Sequence, residues 1–156
     1  MGVEVGGPAT AFRLAGSDNT EAGRRDYSLA DYRGQVVVLV FYPGDSTPVC
    51  TRQLNAYTED IDSFTEAGAQ VLAISPQSVQ SHDDFSCKQG GFAFPLLADT
   101  DKAVGEAYGI LGPLGFYRRS VFVIDADGIV RYAHRAVAGL TFRSTDELVQ
   151  AVTAAS

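Results

Sequence analysis

The sequence contains few of the residues that build disulfide-rich or metal-dependent scaffolds: two cysteines, two histidines, one methionine and no tryptophan. Two cysteines exclude a disulfide-rich scaffold, and together with two histidines they give no recognisable metal-ligand spacing. We therefore expect no metal and no cofactor. The length of 156 residues fits one domain, residues 1–156. Such a domain should bury about two-thirds of its unfolded surface and hold a core without those additions.

Long apolar runs and basic residues are also scarce. The longest apolar block, Val36–Tyr42, has the length of a strand and falls far short of the ~18 residues of a membrane span. Lys and Arg number 12 against 19 Asp and Glu, and this net charge of −7 disfavours binding to nucleic acid or to a membrane surface. The N-terminus shows no secretory signal pattern, so we expect a cytoplasmic protein. In a reducing compartment two cysteines favour redox or catalytic chemistry, although two inert buried thiols are the alternative.

Strand and helix patterns alternate along the chain, which predicts an α/β fold with a sheet between helices. The block Gln35–Tyr42 is almost wholly apolar and β-branched, as expected of a central strand buried on both faces. The other predicted strands are Gln70–Ser75, Phe94–Ala98, Val121–Ile124 and Ile129–His134. The last two would form a hairpin that makes the sheet mixed, with antiparallel pairing at one side. The predicted helices are Val49–Ala67, Ser78–Lys88, Asp101–Tyr108 and a last one from the capping box Ser144–Glu147 to about Ala154. The stretch Ala15–Gly23 is rich in turn residues.

A cysteine occupies the first turn of the helix that follows the central strand. Thr47 is a favourable N-cap and Pro48 suits the first helical position, which places Cys50 in the first turn. The unpaired N–H groups and the dipole of a helix N-terminus favour the thiolate form. The same N–H groups and the Thr47 hydroxyl could hold an oxygen of a substrate. Position alone equally allows Cys50 to be a small apolar residue of the core.

Other candidate residues carry weaker signals. His82 and His134 could each act as the base of a cysteine hydrolase, but neither lies in a recognisable motif, and we expect both at the surface. The absence of a Cys-x-x-Cys pair disfavours a thioredoxin-type disulfide oxidoreductase. Phe116 and Tyr117 could line a substrate entrance or serve only in packing.

The segment around Cys50 resembles the active site of a known family. The pattern Pro43-x-x-x-Thr47-x-x-Cys50 matches the peroxiredoxin motif, and FYPGDSTPVCT is very similar to the bacterioferritin-comigratory-protein (PrxQ) branch. Further similar segments extend along nearly the whole chain: Leu29–Gly34, Phe94–Asp99 and Arg119–Asp125. The resemblance implies an α/β thioredoxin-like three-layer sandwich, with a central mixed β-sheet flanked by helices. It also implies a thiol peroxidase that reduces hydrogen peroxide and organic hydroperoxides.

Carried over position by position, the resemblance implies a role for each of four residues. Cys50 would be the peroxidatic thiolate, which becomes a sulfenic acid. Thr47 would donate to and orient the peroxide oxygens, and Pro43 would shield Cys50 from water. Arg119 would stabilise the thiolate and the charge that develops on the leaving oxygen. Arg119 has the family's spacing to the following strand, so the adjacent Arg118 is expected to be a solvated loop charge.

The second thiol departs from the pattern of many members of this branch. They carry a resolving cysteine five residues after the peroxidatic one, where this chain has Asn55. Cys87 is the only other thiol, and some members place the resolving cysteine at about this position. The resemblance thus implies an atypical two-cysteine enzyme in which Cys87 forms an intramolecular disulfide with Cys50. Cysteines on separate packed helices rarely meet the ~7 Å limit between Cα atoms, so we expect local unwinding, favoured by Gly90-Gly91.

Four functions are compatible with these features. The first is a peroxidase recycled by thioredoxin or a similar dithiol. The second is a one-cysteine peroxidase in which Cys87 is idle. The third is a redox sensor or chaperone that passes its oxidation to a partner protein, and the fourth is an inactive thioredoxin-like binding module. The sequence shows no long C-terminal extension with another cysteine, which favours a monomer or a weak dimer.

Overall fold

Seven strands form one mixed sheet at the centre of the molecule. The computed structural model describes residues 3–136 and 141–156. The strands are β1 (Arg13–Ser17), β2 (Arg25–Ser28), β3 (Val36–Phe41), β4 (Ala69–Ser75), β5 (Leu96–Ala98), β6 (Ser120–Ile124) and β7 (Val130–Arg135). Their order across the sheet is β2-β1-β5-β4-β3-β6-β7, and β3, β4 and β5 run parallel.

Helices cover both faces of this sheet. They are α1 (Pro48–Glu59), α2 (Ile61–Glu66), α3 (Val79–Lys88), α4 (Ala103–Ala107) and α5 (Thr145–Ala155). Side chains on β3 alternate between two buried clusters, as the period of two in a strand requires. Val38 and Val40 pack with the α1 and α5 side, whereas Leu39 and Phe41 pack on the opposite face with Tyr108. The predicted α/β sandwich with a central mixed sheet is therefore confirmed.

The sheet differs from the prediction in one respect, because antiparallel strands flank the parallel centre on both sides. The hairpin of β6 and β7 supplies the expected antiparallel pairing at one side, where β6 lies next to β3, but β1 also pairs antiparallel with β5 and β2. The assignment of Ala15–Gly23 to turns is thus wrong for its first three residues. These short strands lack an alternating apolar pattern, so their pairing depends on tertiary context. At Gly16 a Cβ atom would lie 2.9 Å from the carbonyl oxygen of Leu96, which explains the glycine in the strand.

The predicted helix Val49–Ala67 is in fact two helices. It is interrupted at Asp60, whose φ of −99° and ψ of 17° depart from helical values. An acidic residue is unfavourable at the negative end of a helix dipole but favourable at the positive end. Asp60 therefore suits the end of one helix less well than the beginning of the next. The other predicted helices occur within a few residues of their expected bounds, and Ser78 and Ser144 cap α3 and α5 through their side chains.

The topology brings the ends of two central strands together. In the β3–β6 pair, Phe41 lies opposite Ser120, so the chain leaving β3 and the chain entering β6 meet at one edge. The loop that leads to Cys50 follows β3, and Arg119 immediately precedes β6. In the described residues we find no helix with the length and apolar character needed to cross a membrane.

Candidate active site

Cys50 lies in the first turn of α1 and faces the protein interior. The buried side chains of this helix are Cys50, Gln53, Leu54 and Tyr57, a stripe with the spacing of one helix face. Because this stripe packs on the sheet, the Cys50 side chain has no exposed surface. Both thiols in the chain are free. Burial alone would fit a core cysteine, so the groups around the sulfur decide its character.

The sulfur of Cys50 faces a buried guanidinium. Arg119 Nη1 lies 3.3 Å from Cys50 Sγ and 2.6 Å from Gln53 Oε1. The Arg119 residue is only 4% exposed, so water screens this positive charge weakly. The guanidinium and the N-terminal end of α1 therefore both bring positive potential to the region of this sulfur. The structure thus brings together Cys50 and Arg119, the two residues for which the family resemblance implies a shared active site.

The neighbouring Arg118 has a different environment from the one expected. It is half-buried, and its Nε donates to the backbone carbonyl of Ala136 at 3.0 Å. The expectation of a solvated loop charge is therefore wrong, because this guanidinium satisfies a carbonyl just after β7. Arg118 thus binds backbone, whereas Arg119 binds the Cys50 sulfur.

Gln53 and Tyr57 extend the contacts of Arg119 away from the sulfur. Gln53 Nε2 donates to the Tyr57 hydroxyl at 3.4 Å, and that hydroxyl donates to the carbonyl of Arg143 at 2.6 Å. Burial raises the pKa of Tyr57 to about 12, so its phenol keeps its proton at neutral pH. Sequence reasoning did not select Gln53, although its position three residues after Cys50 places both on one helix face.

The loop between β3 and α1 holds the two other predicted residues, Pro43 and Thr47. Pro43 is half-buried and Thr47 is exposed. Thr47 is the N-cap residue by position, but its side chain makes no capping bond. Its Oγ1 instead donates to the Gly44 carbonyl at 3.1 Å, which closes the loop on itself. The lone pairs of this hydroxyl therefore remain available to accept a hydrogen bond.

A buried histidine also contacts this loop. The His82 side chain has no exposed surface, so the expectation of a surface position is wrong for this residue. Its Nδ1 lies 2.8 Å from Asp45 Oδ2, and its Nε2 lies 2.9 Å from the Leu97 carbonyl oxygen. Sequence reasoning missed the pair because its members are 37 residues apart and belong to no local pattern. The pair supports the loop and does not contact the sulfur through any of these bonds.

Comparison with known proteins identifies the family. The sequence model of the AhpC/TSA family matches residues 5–133. This chain belongs to that family. Peroxiredoxin Bcp of Xanthomonas campestris is 37% identical over 137 residues, which are 83% of each protein. Thioredoxin peroxidase of Echinococcus granulosus is 40% identical over 114 residues, which are 69% of this chain and 59% of that protein.

Solved structures agree with this assignment. Bacterioferritin comigratory protein of Xanthomonas campestris matches with a TM-score of 0.78 and 35% identity, over 92% of this chain and 90% of that one. The resemblance to peroxiredoxins of the PrxQ branch is thereby confirmed, and with it the thioredoxin-like fold. Membership in this family makes the chain an enzyme of the peroxidase class.

Within this peroxiredoxin, Cys87 occupies the last turn of α3 and is exposed. Asn55, at the position where other branch members carry a resolving cysteine, donates from Nδ2 to Gln89 Oε1 at 3.0 Å. That bond joins α1 to the residue just beyond α3. Gly90 and Gly91 follow with φ of 80° and 96°, values that favour glycine.

The remaining candidates differ in burial and contacts. Tyr117 is buried and its hydroxyl donates to Asp99, so it serves in packing, whereas Phe116 is exposed. His134 is half-buried on β7. In residues 3–136 and 141–156 there is no cluster of three acidic, histidine or cysteine side chains that could hold a metal ion.

Proposed function

We propose that this peroxiredoxin reduces hydroperoxides with the Cys50 thiolate as nucleophile. The observation that carries the proposal is the buried Arg119 guanidinium, whose Nη1 lies 3.3 Å from Cys50 Sγ. The sulfur attacks the terminal oxygen of R–O–OH, an S–O bond forms and the O–O bond breaks. Cys50 becomes a sulfenic acid and RO⁻ leaves, taking a proton to become the alcohol, or water when the substrate is hydrogen peroxide. The sulfur loses two electrons and the peroxide gains them.

The positive charge of Arg119 can stabilise both the attacking sulfur and the leaving oxygen. Before reaction it stabilises the negative sulfur, and during reaction it remains beside the site where charge develops on the leaving oxygen. The helix N-terminus adds to this effect, because the first-turn N–H groups of Val49 and Cys50 have no carbonyl partner within the helix. Gln53 fixes the guanidinium through the 2.6 Å bond to its Oε1. The donors therefore need little rearrangement when charge moves from sulfur to oxygen.

Thr47 and Pro43 complete the proposed substrate site. The Thr47 hydroxyl gives its proton to the Gly44 carbonyl, so in this arrangement it accepts a hydrogen bond from the O–H of the peroxide. The family resemblance implies that Thr47 donates a hydrogen bond to the peroxide, whereas here Thr47 accepts one. The proposed role of Thr47 in orienting the substrate is unchanged. Pro43 is half-buried on the same loop and brings no N–H group to compete with the substrate.

Cys87 is proposed to resolve the sulfenic acid. Its thiolate attacks the Cys50 sulfur, the disulfide forms and hydroxide leaves. Cys50 is fully buried in α1 and Cys87 is exposed at the end of α3, so the two helix ends must unwind locally before the bond can form. The break of α3 after Lys88 and the two positive-φ glycines beyond it make this end of the helix the weaker one.

Substrates and reductant follow from the relatives. The solved bacterioferritin comigratory protein of Xanthomonas campestris is described as having alkyl peroxide reduction activity, and the Echinococcus granulosus relative is named a thioredoxin peroxidase. By analogy we assign hydrogen peroxide and organic hydroperoxides as substrates, and thioredoxin or a similar dithiol as reductant. The dithiol reduces the Cys50–Cys87 disulfide by exchange and is itself oxidised to a disulfide. A cytoplasmic location and a monomeric or weakly dimeric state accord with this role.

Two single variants test the proposal in a thioredoxin-coupled assay with hydrogen peroxide. Cys50→Ser should abolish peroxide consumption while the protein remains folded. Cys87→Ser should retain the first oxidation of Cys50 but lose turnover with thioredoxin. Full thioredoxin-dependent turnover in Cys87→Ser would instead make the enzyme a one-cysteine peroxidase. Full turnover in Cys50→Ser would contradict the proposed chemistry altogether.

A further inference from the structure

The loop that carries Thr47 also carries a buried carboxyl group, that of Asp45. The Asp45 side chain is 3% exposed, and three side chains direct polar groups at its two oxygens. The Tyr42 hydroxyl donates to Oδ1 at 2.7 Å, the Ser81 hydroxyl donates to Oδ2 at 2.7 Å, and His82 Nδ1 lies 2.8 Å from Oδ2. Burial and the adjacent carboxylate raise the pKa of Tyr42 well above 10, so this phenol is a donor at neutral pH.

The hydrogen-bond pattern determines where the protons lie. The Leu97 carbonyl can only accept, so His82 Nε2 carries a proton. Asp45 accepts from two hydroxyl groups, and its Oδ2 also lies within hydrogen-bond distance of Nδ1. Nδ1 of His82 and the Asp45 carboxyl group therefore share a proton in a buried hydrogen bond, while Nε2 holds the ring to Leu97. Buried polar groups of this kind are stable only when they are hydrogen-bonded, as both of these groups are.

The pair joins the loop to the helix that carries Cys87. Asp45 belongs to the segment between β3 and α1, whereas Ser81 and His82 belong to α3. Just before α3, Gln77 Oε1 also accepts from the Asp45 backbone N–H at 2.9 Å. The loop needs such support because Ser46 has a φ of 62°, in the left-handed region that is unfavourable for a serine.

We propose that Asp45 and His82 are positioning residues, which hold the loop so that Thr47 and Gly44 present a fixed peroxide site beside Cys50. This inference rests on the proposed function of Cys50. Neither residue touches the reacting atoms. Their hydrogen bond fixes the backbone one residue from Gly44 and two from Thr47, and the Thr47–Gly44 bond closes that short segment. Loss of the pair therefore disturbs substrate orientation while the Arg119–Cys50 contact remains.

The test compares three variants with the wild-type chain by rapid quench and intact mass. Asp45→Asn replaces one of the two acceptor oxygens by an amide nitrogen, Ser81→Ala removes one of the three donors, and Asp83→Asn is the matched control. Asp83 is also a buried carboxylate on α3 and also accepts from a serine, Ser17, but it pairs with Arg24 and not with the loop. Each variant is assayed for the rate of Cys50 oxidation by hydrogen peroxide and for the rate of Cys50 alkylation by iodoacetamide.

We expect Asp45→Asn to slow the peroxide reaction about tenfold or more and Ser81→Ala about threefold, the effect of weakening the hydrogen bonds to this carboxyl group. Alkylation should not slow, because the contact of Arg119 with the sulfur is retained. Asp83→Asn should change the peroxide rate less than about twofold, whatever it does to thermal stability. Equal rates in wild type and in the Asp45 and Ser81 variants would overturn the proposal, as would a parallel loss of both reactions. Should Asp45→Asn fail to fold, Ser81→Ala decides by the same criteria.

A spectroscopic measurement supplies an independent criterion. NMR of the wild-type protein should show a solvent-protected N–H on the His82 ring, and a ring N–H that exchanges freely with water would overturn the proposed hydrogen-bonded pair. The wild-type peroxide rate separates this inference from the proposed function. An unreactive wild-type Cys50 would refute the peroxidase, whereas a reactive wild type with equally reactive variants would refute only the positioning role.

Discussion

Replacement of Arg119 by glutamine should strongly slow the first chemical step. The change removes the positive charge while keeping a polar side chain, and it takes away the donor 3.3 Å from Cys50 Sγ and 2.6 Å from Gln53 Oε1. The residue is 4% exposed, so no water can readily replace the lost donor. The variant therefore isolates the contribution of this guanidinium to the thiolate and to the leaving oxygen.

The size of the effect follows from the contacts. A hydrogen bond to a charged group contributes about 1.5–3 kcal/mol, which corresponds to about 10- to 150-fold in rate when it is lost. Loss of a donor to a developing oxyanion costs about 10²- to 10³-fold in comparable sites. One guanidinium serves both functions here, so the two effects overlap. We expect the second-order rate constant for peroxide to fall about 10²- to 10³-fold.

The assay follows Cys50 oxidation directly in a Cys87→Ser background, so that the sulfenic acid accumulates and can be trapped with dimedone for mass spectrometry. Arg118→Gln is the matched control, because that neighbour binds the Ala136 carbonyl and not the sulfur. Its rate should stay within about threefold of the parent, because the substitution leaves the Arg119–Cys50 contact in place. A folded Arg119→Gln variant that reacts within threefold of the parent would refute the assigned role.

Three further predictions concern resolution and pH. Gln89→Ala removes the side-chain oxygen that accepts the 3.0 Å hydrogen bond from Asn55 of α1. Because that bond restrains unwinding, the intramolecular disulfide should form about fivefold faster after oxidation, as followed by intact mass. An unchanged rate would contradict this restraining role. Burial and the nearby Arg143 lower the pKa of His134, so the unfolded chain binds this proton more readily and stability should fall as the pH drops below about 6.5. In urea denaturation, His134→Gln should reduce the pH dependence of the free energy of unfolding in this range. An unchanged pH dependence would contradict the role of His134. Burial alone would raise the pKa of Asp125, but bonds from the backbone and from Arg131 lower it below its usual value. The ionised Asp125 side chain therefore stabilises the folded state above about pH 3.9, and this stabilisation is lost as the pH falls through the lower pKa of the folded protein. Asp125→Asn should therefore reduce the free energy of unfolding less at pH 2.5 than at pH 7.

The sequence predicts the centre of this fold better than its margins. The β3 block and the helix after it are recognisable because their apolar patterns are local and strong. β1 and β2 are not recognisable in this way, because half of their residues are polar and their pairing depends on strands far away in sequence. The break at Asp60 also escapes prediction, since a continuous apolar stripe spans both helices and hides the change of backbone conformation.

The residues of the candidate site also differ in how far the sequence predicts them. Cys50, Thr47 and Pro43 lie within one short segment, so a motif can reveal them. Arg119 lies next to a different strand, and only resemblance to a family connects it with the cysteine. The pair of Asp45 and His82 is not predicted at all, because a buried hydrogen bond between a loop and a distant helix leaves no periodic pattern in the sequence.

The most direct test of the account is the intact mass of the wild-type protein after one equivalent of hydrogen peroxide, followed by peptide mapping. A peroxidatic Cys50 that is resolved by Cys87 should give a rapid loss of two hydrogens, located in a bond between Cys50 and Cys87. A gain of one oxygen on Cys50 with Cys87 still free would contradict the resolving role. If neither thiol changed rapidly, the central claim of a peroxidatic Cys50 would be wrong.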